Sequence, residues 1–179
     1  MNYHIIYHSP VGDLKLVSDG TNLIGLHFWW DRQPVESESA PSQEKAEPFP
    51  RVVRQLDEYF EGKRMEFDIP IRFIGTPFQV RAWEALQSIP YGETISYKEE
   101  AARVGSHARA VGMANGQNPV AIIVPCHRVI GANGQLVGYG GGLDLKKALL
   151  SFEGTVRDFG PQRFAPLKRG RKPQISAAG

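Results

Sequence analysis

The hydrophobic period of this chain changes at Gly75-Thr76-Pro77, and that change limits what the chain can fold into. Before it, apolar residues recur every second position, the period of a strand. Tyr3, Ile5 and Tyr7 alternate with their neighbours, and Leu14 and Leu16 share a face. A third apolar run goes from Leu23 through Ile24, Leu26 and Phe28 to Trp30. Ser9-Pro10-Val11-Gly12 and Ser18-Asp19-Gly20 read as turns, so residues 2–30 read as an antiparallel meander. Residues 31–50 hold four Pro and five acids and read as a solvated loop. Val52, Val53, Leu56, Tyr59 and Phe60 then recur at helical spacing, with Gly62 as the stop. Met65, Phe67, Ile69, Ile71 and Phe73 alternate, which predicts a half-buried strand. Pro70 cannot donate to a ladder and places that strand at an edge.

After the boundary the period becomes helical. Thr76 is set to cap a helix whose first turn carries Pro77. Phe78, Trp83, Leu86 and Ile89 form its apolar face, and Pro90-Tyr91-Gly92 ends it. Ser96, with Glu99 three residues on, opens a second short helix that stops before Gly105. Ser106 is expected to cap a third, running to about Asn115. Two short helices about a glycine turn have the proportions of a helix-turn-helix. The reading is α+β: a small antiparallel-sheet domain over 1–74, a helical domain over 75–154 and a basic, disordered tail over 155–179.

Composition narrows the class. The 179 residues suit one compact domain or two small ones. A single Cys excludes an internal disulfide and a multi-Cys zinc site, so no metal is expected. At 41% hydrophobic and 22% charged, the chain has enough apolar residues for a core. No apolar run approaches the ~20 residues of a membrane helix, so no membrane partner is expected. Met1-Asn2-Tyr3-His4 lacks the order of a signal peptide, and a cytoplasmic setting is expected. The net charge of +2 hides a gradient: −4 over residues 1–74, +1 over 75–155 and +5 over 156–179. A polyanion, if there is one, therefore meets the C-terminal half.

The densest chemistry lies in Asn118-Pro119-Val120-Ala121-Ile122-Ile123-Val124-Pro125-Cys126-His127-Arg128-Val129-Ile130. An apolar run ends at Pro125, and the only Cys follows with His beside it. A lone Cys is usually a small buried hydrophobe. Here Pro125 fixes the backbone, His127 and Arg128 bring polar and cationic groups, and Glu153 could orient a His. Such neighbours favour the thiolate, which is the nucleophilic form. Adjacent side chains on an extended backbone point opposite ways, so the segment must bend if Cys126 and His127 cooperate.

Ile123-Val124-Pro125-Cys126-His127-Arg128-Val129-Ile130 resembles the active-site signature of the O6-alkylguanine-DNA alkyltransferases. Gly75-Thr76-Pro77-Phe78-Gln79, Ile95-Ser96-Tyr97, Ala108-Arg109-Ala110-Val111-Gly112, Asn118-Pro119, Gly138-Tyr139, Gly141-Gly142-Leu143 and Glu153-Gly154 follow that family's order. The resemblance is close over residues 75–154 and loose over 1–74. It implies a ribonuclease H-like N-terminal domain and a C-terminal winged helix-turn-helix. It also implies direct reversal of DNA damage: the alkyl group moves from O6 of a flipped guanine to the protein's own Cys, once and irreversibly.

By the same resemblance, Cys126 is the acceptor, His127 acts through a water as base, Glu153 holds His127, and Asn118 braces the turn. Tyr97 faces guanine N3. Tyr139, Gly140, Val129 and Lys146 belong to the base pocket. Arg109 fills the vacated stack, on a slim helix with Ala108, Ala110 and Gly112 that enters the minor groove, and Ser96 belongs to the DNA surface. Gly140, Gly141 and Ala121 are small, which implies a roomy pocket. No cofactor is implied, the partner is double-stranded DNA carrying O6-alkylguanine, and a monomer is expected. That partner places the chain with the DNA: nucleoid-associated in a prokaryote, nuclear in a eukaryote. An alkyltransferase-like lesion sensor lacks the Cys that is present here. A Cys-His hydrolase would require motifs that are missing.

Overall fold

A computed structural model describes residues 2–29, 44–154, 163–164 and 175–176. The chain divides into two compact units, one ending at Phe73 and the next beginning at Ile74.

The first unit is built on a meander of β1 (Tyr3–Ser9), β2 (Gly12–Ser18) and β3 (Leu23–Phe28), paired antiparallel in the order β1-β2-β3. The register sets Ile5 against Leu16 and Leu16 against Leu26. Along β2, Leu14 and Leu16 are fully buried while Asp13, Lys15 and Val17 are half-buried, the alternation expected of a sheet covered on one face. The cover is α1 (Phe49–Phe60), whose Phe49, Val52, Leu56 and Tyr59 are buried. The helix ends as expected at Gly62. Its φ of 76° lets Gly62 N–H reach Tyr59 O and Lys63 N–H reach Glu58 O, satisfying two terminal carbonyls. It begins three residues earlier than the sequence pattern suggests, with Pro50 in the first turn.

Residues 65–73 do not form the expected strand. One bridge joins Ile71 to Leu23, with Leu23 N–H on Pro70 O and Arg72 N–H on Leu23 O. The neighbouring backbone groups are satisfied by side chains instead. Asp68 N–H donates to Gln55 Oε1, Gln55 Nε2 donates to Asp68 O, and Arg64 Nη1 donates to Glu66 O. Gln55 is itself buried on α1, so the helix takes the role of a neighbouring strand.

The second unit opens with α2 (Pro77–Leu86). Thr76 Oγ1 accepts from Gln79 N–H and Gln79 Oε1 accepts from Thr76 N–H, a full capping box. Ala82, Trp83 and Leu86 are buried, and Trp83 Nε1 donates to Ala114 O of α4 (Ala108–Gly116). Short strand β4 (Ile95–Ser96) pairs in parallel with β5 (Val129–Ile130). Between them come α3 (Tyr97–Val104) and α4. Ser96 Oγ accepts from Glu99 N–H, and Gly105 ends α3 in the left-handed region at φ 69°. The cap of α4 is His107, not Ser106: its Nδ1 accepts from Ala110 N–H. Only Gly105 and Ser106 stand between the end of α3 and that cap, so the turn is tight. A last helix, α5 (Leu143–Phe152), buries Leu145, Lys146, Ala148, Leu149, Leu150 and Ser151.

The expected tail lies largely outside the described residues. Its four described residues pair as β6 (Arg163–Phe164) and β7 (Ile175–Ser176).

Candidate active site

Everything that positions Cys126 lies in the second unit. The chain from Asn118 to Arg128 is bent, as cooperation between Cys126 and His127 requires. Asn118 holds the bend at two points: its Nδ2 donates to Val124 O at 2.8 Å, and its Oδ1 accepts from Val120 N–H at 3.0 Å. Inside that clasp Ile122 has φ 69°, a conformation costly for a β-branched residue. Ile122 is fully buried, and that packing holds it there. Cys126 N–H then turns back to Val124 O, and residues Cys126–Arg128 form a 3-10 turn.

Glu153, at the end of α5, is the hub of that turn. His127 Nε2 lies 3.0 Å from Glu153 Oε2. Arg128 grips the same carboxylate with both arms, Nε on Oε1 at 2.8 Å and Nη2 on Oε2 at 3.0 Å. Its third nitrogen donates to Ile89 O at 2.7 Å. Burial alone would raise the Glu153 carboxyl, but His127 and Arg128 hold it down to about 2. An ionised Glu153 only accepts, so it fixes the His127 proton on Nε2. The other ring nitrogen, Nδ1, is buried without a partner among the described residues. In its neutral form His127 therefore presents a free Nδ1 lone pair, with its far side anchored on Glu153.

The sequence suggested that Arg128 stands beside the sulfur. It does not: its charge is spent on Glu153, and its guanidinium lies 5.7 Å over the Tyr91 ring. The cation that acts on Cys126 is Lys146. Burial pushes the Cys126 thiol up, while a hydrogen bond from Asn118 and the Lys146 charge pull it back.

A cavity of about 660 Å³ opens at Cys126. Tyr97, Asn115, Tyr139, Gly138 and Gly140 line it, and Ala108, Arg109 and Gly112 line it from α4. Val137, Met113 and Gly116 complete it. Tyr97 donates its hydroxyl to Val137 O at 2.8 Å, and burial keeps the phenol protonated, pushed up to about 12.

Several expected pocket residues stand elsewhere. Lys146 does not line the cavity. It is buried behind Tyr97 and donates to Val137 O at 3.0 Å and Gly138 O at 3.3 Å, pinning the cavity wall to α5. Val129 is fully buried in β5, where it pairs with Ile95, and does not line the cavity. Ala121 is buried in the Asn118 clasp and does not line the cavity. Ser96 and Ala110 are also outside the lining, and Ser96 spends its hydroxyl on the cap of α3. Gly140 does leave space: a Cβ built there meets nothing within 4 Å. Among the described residues no group of three or more His, Cys, Asp or Glu could hold a metal.

Residues 77–155 match the family model for the 6-O-methylguanine DNA methyltransferase DNA binding domain, and residues 2–73 match its ribonuclease-like domain. A methylated-DNA–protein-cysteine methyltransferase of Methanosarcina acetivorans is 46% identical over 157 residues, covering 86% of this chain and 99% of that protein. The protein of the same name from Mycobacterium tuberculosis is 50% identical over 151 residues, covering 81% and 88%. The crystal structure of the Mycobacterium tuberculosis O6-methylguanine methyltransferase superposes with a TM-score of 0.77 at 47% identity, over 86% of this chain and 93% of that one. A structure of the Mycobacterium tuberculosis OGT protein in complex with DNA gives a TM-score of 0.74 at 48% identity, over 84% and 91%.

Proposed function

Because this chain belongs to the 6-O-methylguanine DNA methyltransferase family, we propose that it repairs O6-alkylguanine in DNA by moving the alkyl group onto Cys126. The observation that carries this reading is the Cys126 thiol at the floor of a cavity, followed directly by a histidine whose free Nδ1 is enforced by Glu153.

The chemistry follows from these groups. His127 Nδ1 takes the thiol proton, relayed by a water. The thiolate attacks the alkyl carbon, the S–C bond forms and the C–O6 bond breaks. Negative charge collects on the departing guanine, where the Tyr97 phenol turns its one proton from Val137 O toward N3. The thiol proton ends, in net, on guanine. Thioether formation consumes Cys126, and the chain carries no second thiol to regenerate it. The protein therefore acts once.

The target base must leave the duplex to reach Cys126, at a cost of a few kcal/mol. Arg109, exposed on the cavity rim, fills the gap in the stack. Ala108 and Gly112 keep α4 slim enough to lie in a minor groove. The protein works as a monomer on double-stranded DNA. Incubation with a duplex carrying radiolabelled O6-methylguanine tests the reading. Label moves to protein and unmodified guanine remains in the DNA; label released to solvent contradicts it.

A further inference from the structure

Behind the cavity, α3 and α4 share a polar contact that alkyl transfer does not use. Glu100 is fully buried on α3, and Asn115 is buried on α4. Asn115 Nδ2 donates to Glu100 Oε2 at 2.7 Å. The other oxygen of each side chain, Glu100 Oε1 and Asn115 Oδ1, has no hydrogen-bond partner among the described residues. If the carboxyl is ionised, both orphans are acceptors and neither can serve the other. Two unpaired buried acceptors are costly. One proton on Oε1 resolves both, because it supplies the donor that Asn115 Oδ1 lacks.

We infer that Glu100 is held as a neutral carboxylic acid in a two-point acid–amide pair with Asn115, and that this pair positions α4 against α3 behind the alkyl-acceptor pocket. Asn115 lines the cavity together with Cys126, so a shift of this pair moves the pocket wall. The inference rests on Cys126 being the alkyl acceptor.

The surroundings agree. Burial pushes the Glu100 carboxyl up to about 7, against the Asn115 hydrogen bond and the Arg103 charge. Arg103 lies on the same helix as Glu100. Tyr97 on α3 and Cys126 on the active-site turn are the titratable groups that feel its charge. The buried residues of α2 (Ala82, Trp83, Leu86), the remaining ones of α4 (Val111, Ala114) and Val129 of β5 bring no charge to it. An ionised Glu100 raises the Cys126 thiol, so the neutral acid keeps a negative charge away from the forming thiolate.

Glu100→Gln separates this role from simple packing, because a glutamine keeps both hydrogen bonds but cannot ionise. The single-turnover rate of methyl transfer from duplex DNA is measured for both proteins from pH 6 to 8.5. The ratio of variant to native rate is expected to rise several-fold across that range, as Glu100 in the native protein loses its proton. A constant ratio overturns the inference.

Urea unfolding without DNA gives a second readout. A group protonated more readily when folded loses its stabilising effect as pH rises through its folded value. The native unfolding constant is therefore expected to climb, relative to Glu100→Gln, by up to about tenfold per pH unit between about 5 and 7. Parallel curves would show that Glu100 is already ionised and also overturn the inference. Because this second measurement uses no substrate, it stands even if no alkyl transfer is seen, which would instead refute the reading of Cys126.

Discussion

Glu153 has three functions: it orients His127, pairs with Arg128 and ties α5 to the active-site turn. Glu153→Gln keeps the shape but removes the charge that fixes the His127 tautomer. Single-turnover methyl transfer is expected to slow by about 100-fold or more, the usual scale for general-base assistance. Arg128 is then buried without its anion, so urea unfolding should show a loss of about 3 kcal/mol. The same carboxylate sets an acid limit. Its folded value of about 2 lies below the ordinary 4.5, so its contribution is complete above about pH 4.5 and is lost as pH falls towards 2. Unfolding midpoints measured between pH 5 and 2 should fall steeply in the native protein and less in Glu153→Gln. Tyr97→Phe removes a phenol that burial keeps protonated, and single-turnover transfer should slow by about tenfold. An unchanged rate would remove Tyr97 from the leaving-group side.

The elements were legible where their signals are local. Thr76, Ser96, Gly62 and Gly105 each end or begin a helix as their chemistry dictates, because a cap depends only on residues within one turn. Residues 65–73 were misleading for the opposite reason. Alternation reports a half-buried face but says nothing about which groups take the backbone hydrogen bonds, and here Gln55 of α1 takes them. The cap of α4 is His107 rather than Ser106 because it is His107 Nδ1 that reaches Ala110 N–H, and α4 begins at Ala108. The site followed the same rule. Cys126, His127 and Glu153 were visible as residue types in a motif. The routing of Arg128 to Glu153, and of Lys146 to the back of Tyr97, depends on how α5 packs and left no mark in the sequence.

On α4, Arg109 and Gly112 face the cavity from one helix. Arg109→Ala should spare transfer from the free base O6-methylguanine, which needs no flipping. It should slow repair in duplex DNA by about 10- to 100-fold, the scale of a few kcal/mol of unstacking left uncompensated. Equal slowing on both substrates would place Arg109 in the pocket chemistry instead.

At the scale of the whole molecule, the charge gradient and the lone Cys acquire definite meanings. The acidic excess lies in residues 1–74, which carry a sheet and no described cluster of catalytic groups. The second unit is nearly neutral and holds the cavity, the turn and the helix pair. The single Cys, which first excludes a disulfide or zinc framework, is the reagent itself. A reagent consumed in its own reaction predicts a stoichiometry rather than a turnover number. The most direct measurement is intact-protein mass spectrometry, with peptide mapping, after incubation with excess duplex containing O6-methylguanine. The account predicts one added methyl group per chain, located on Cys126 and absent in Cys126→Ala. More than one guanine restored per chain, or a methyl group found on any other residue, would contradict it.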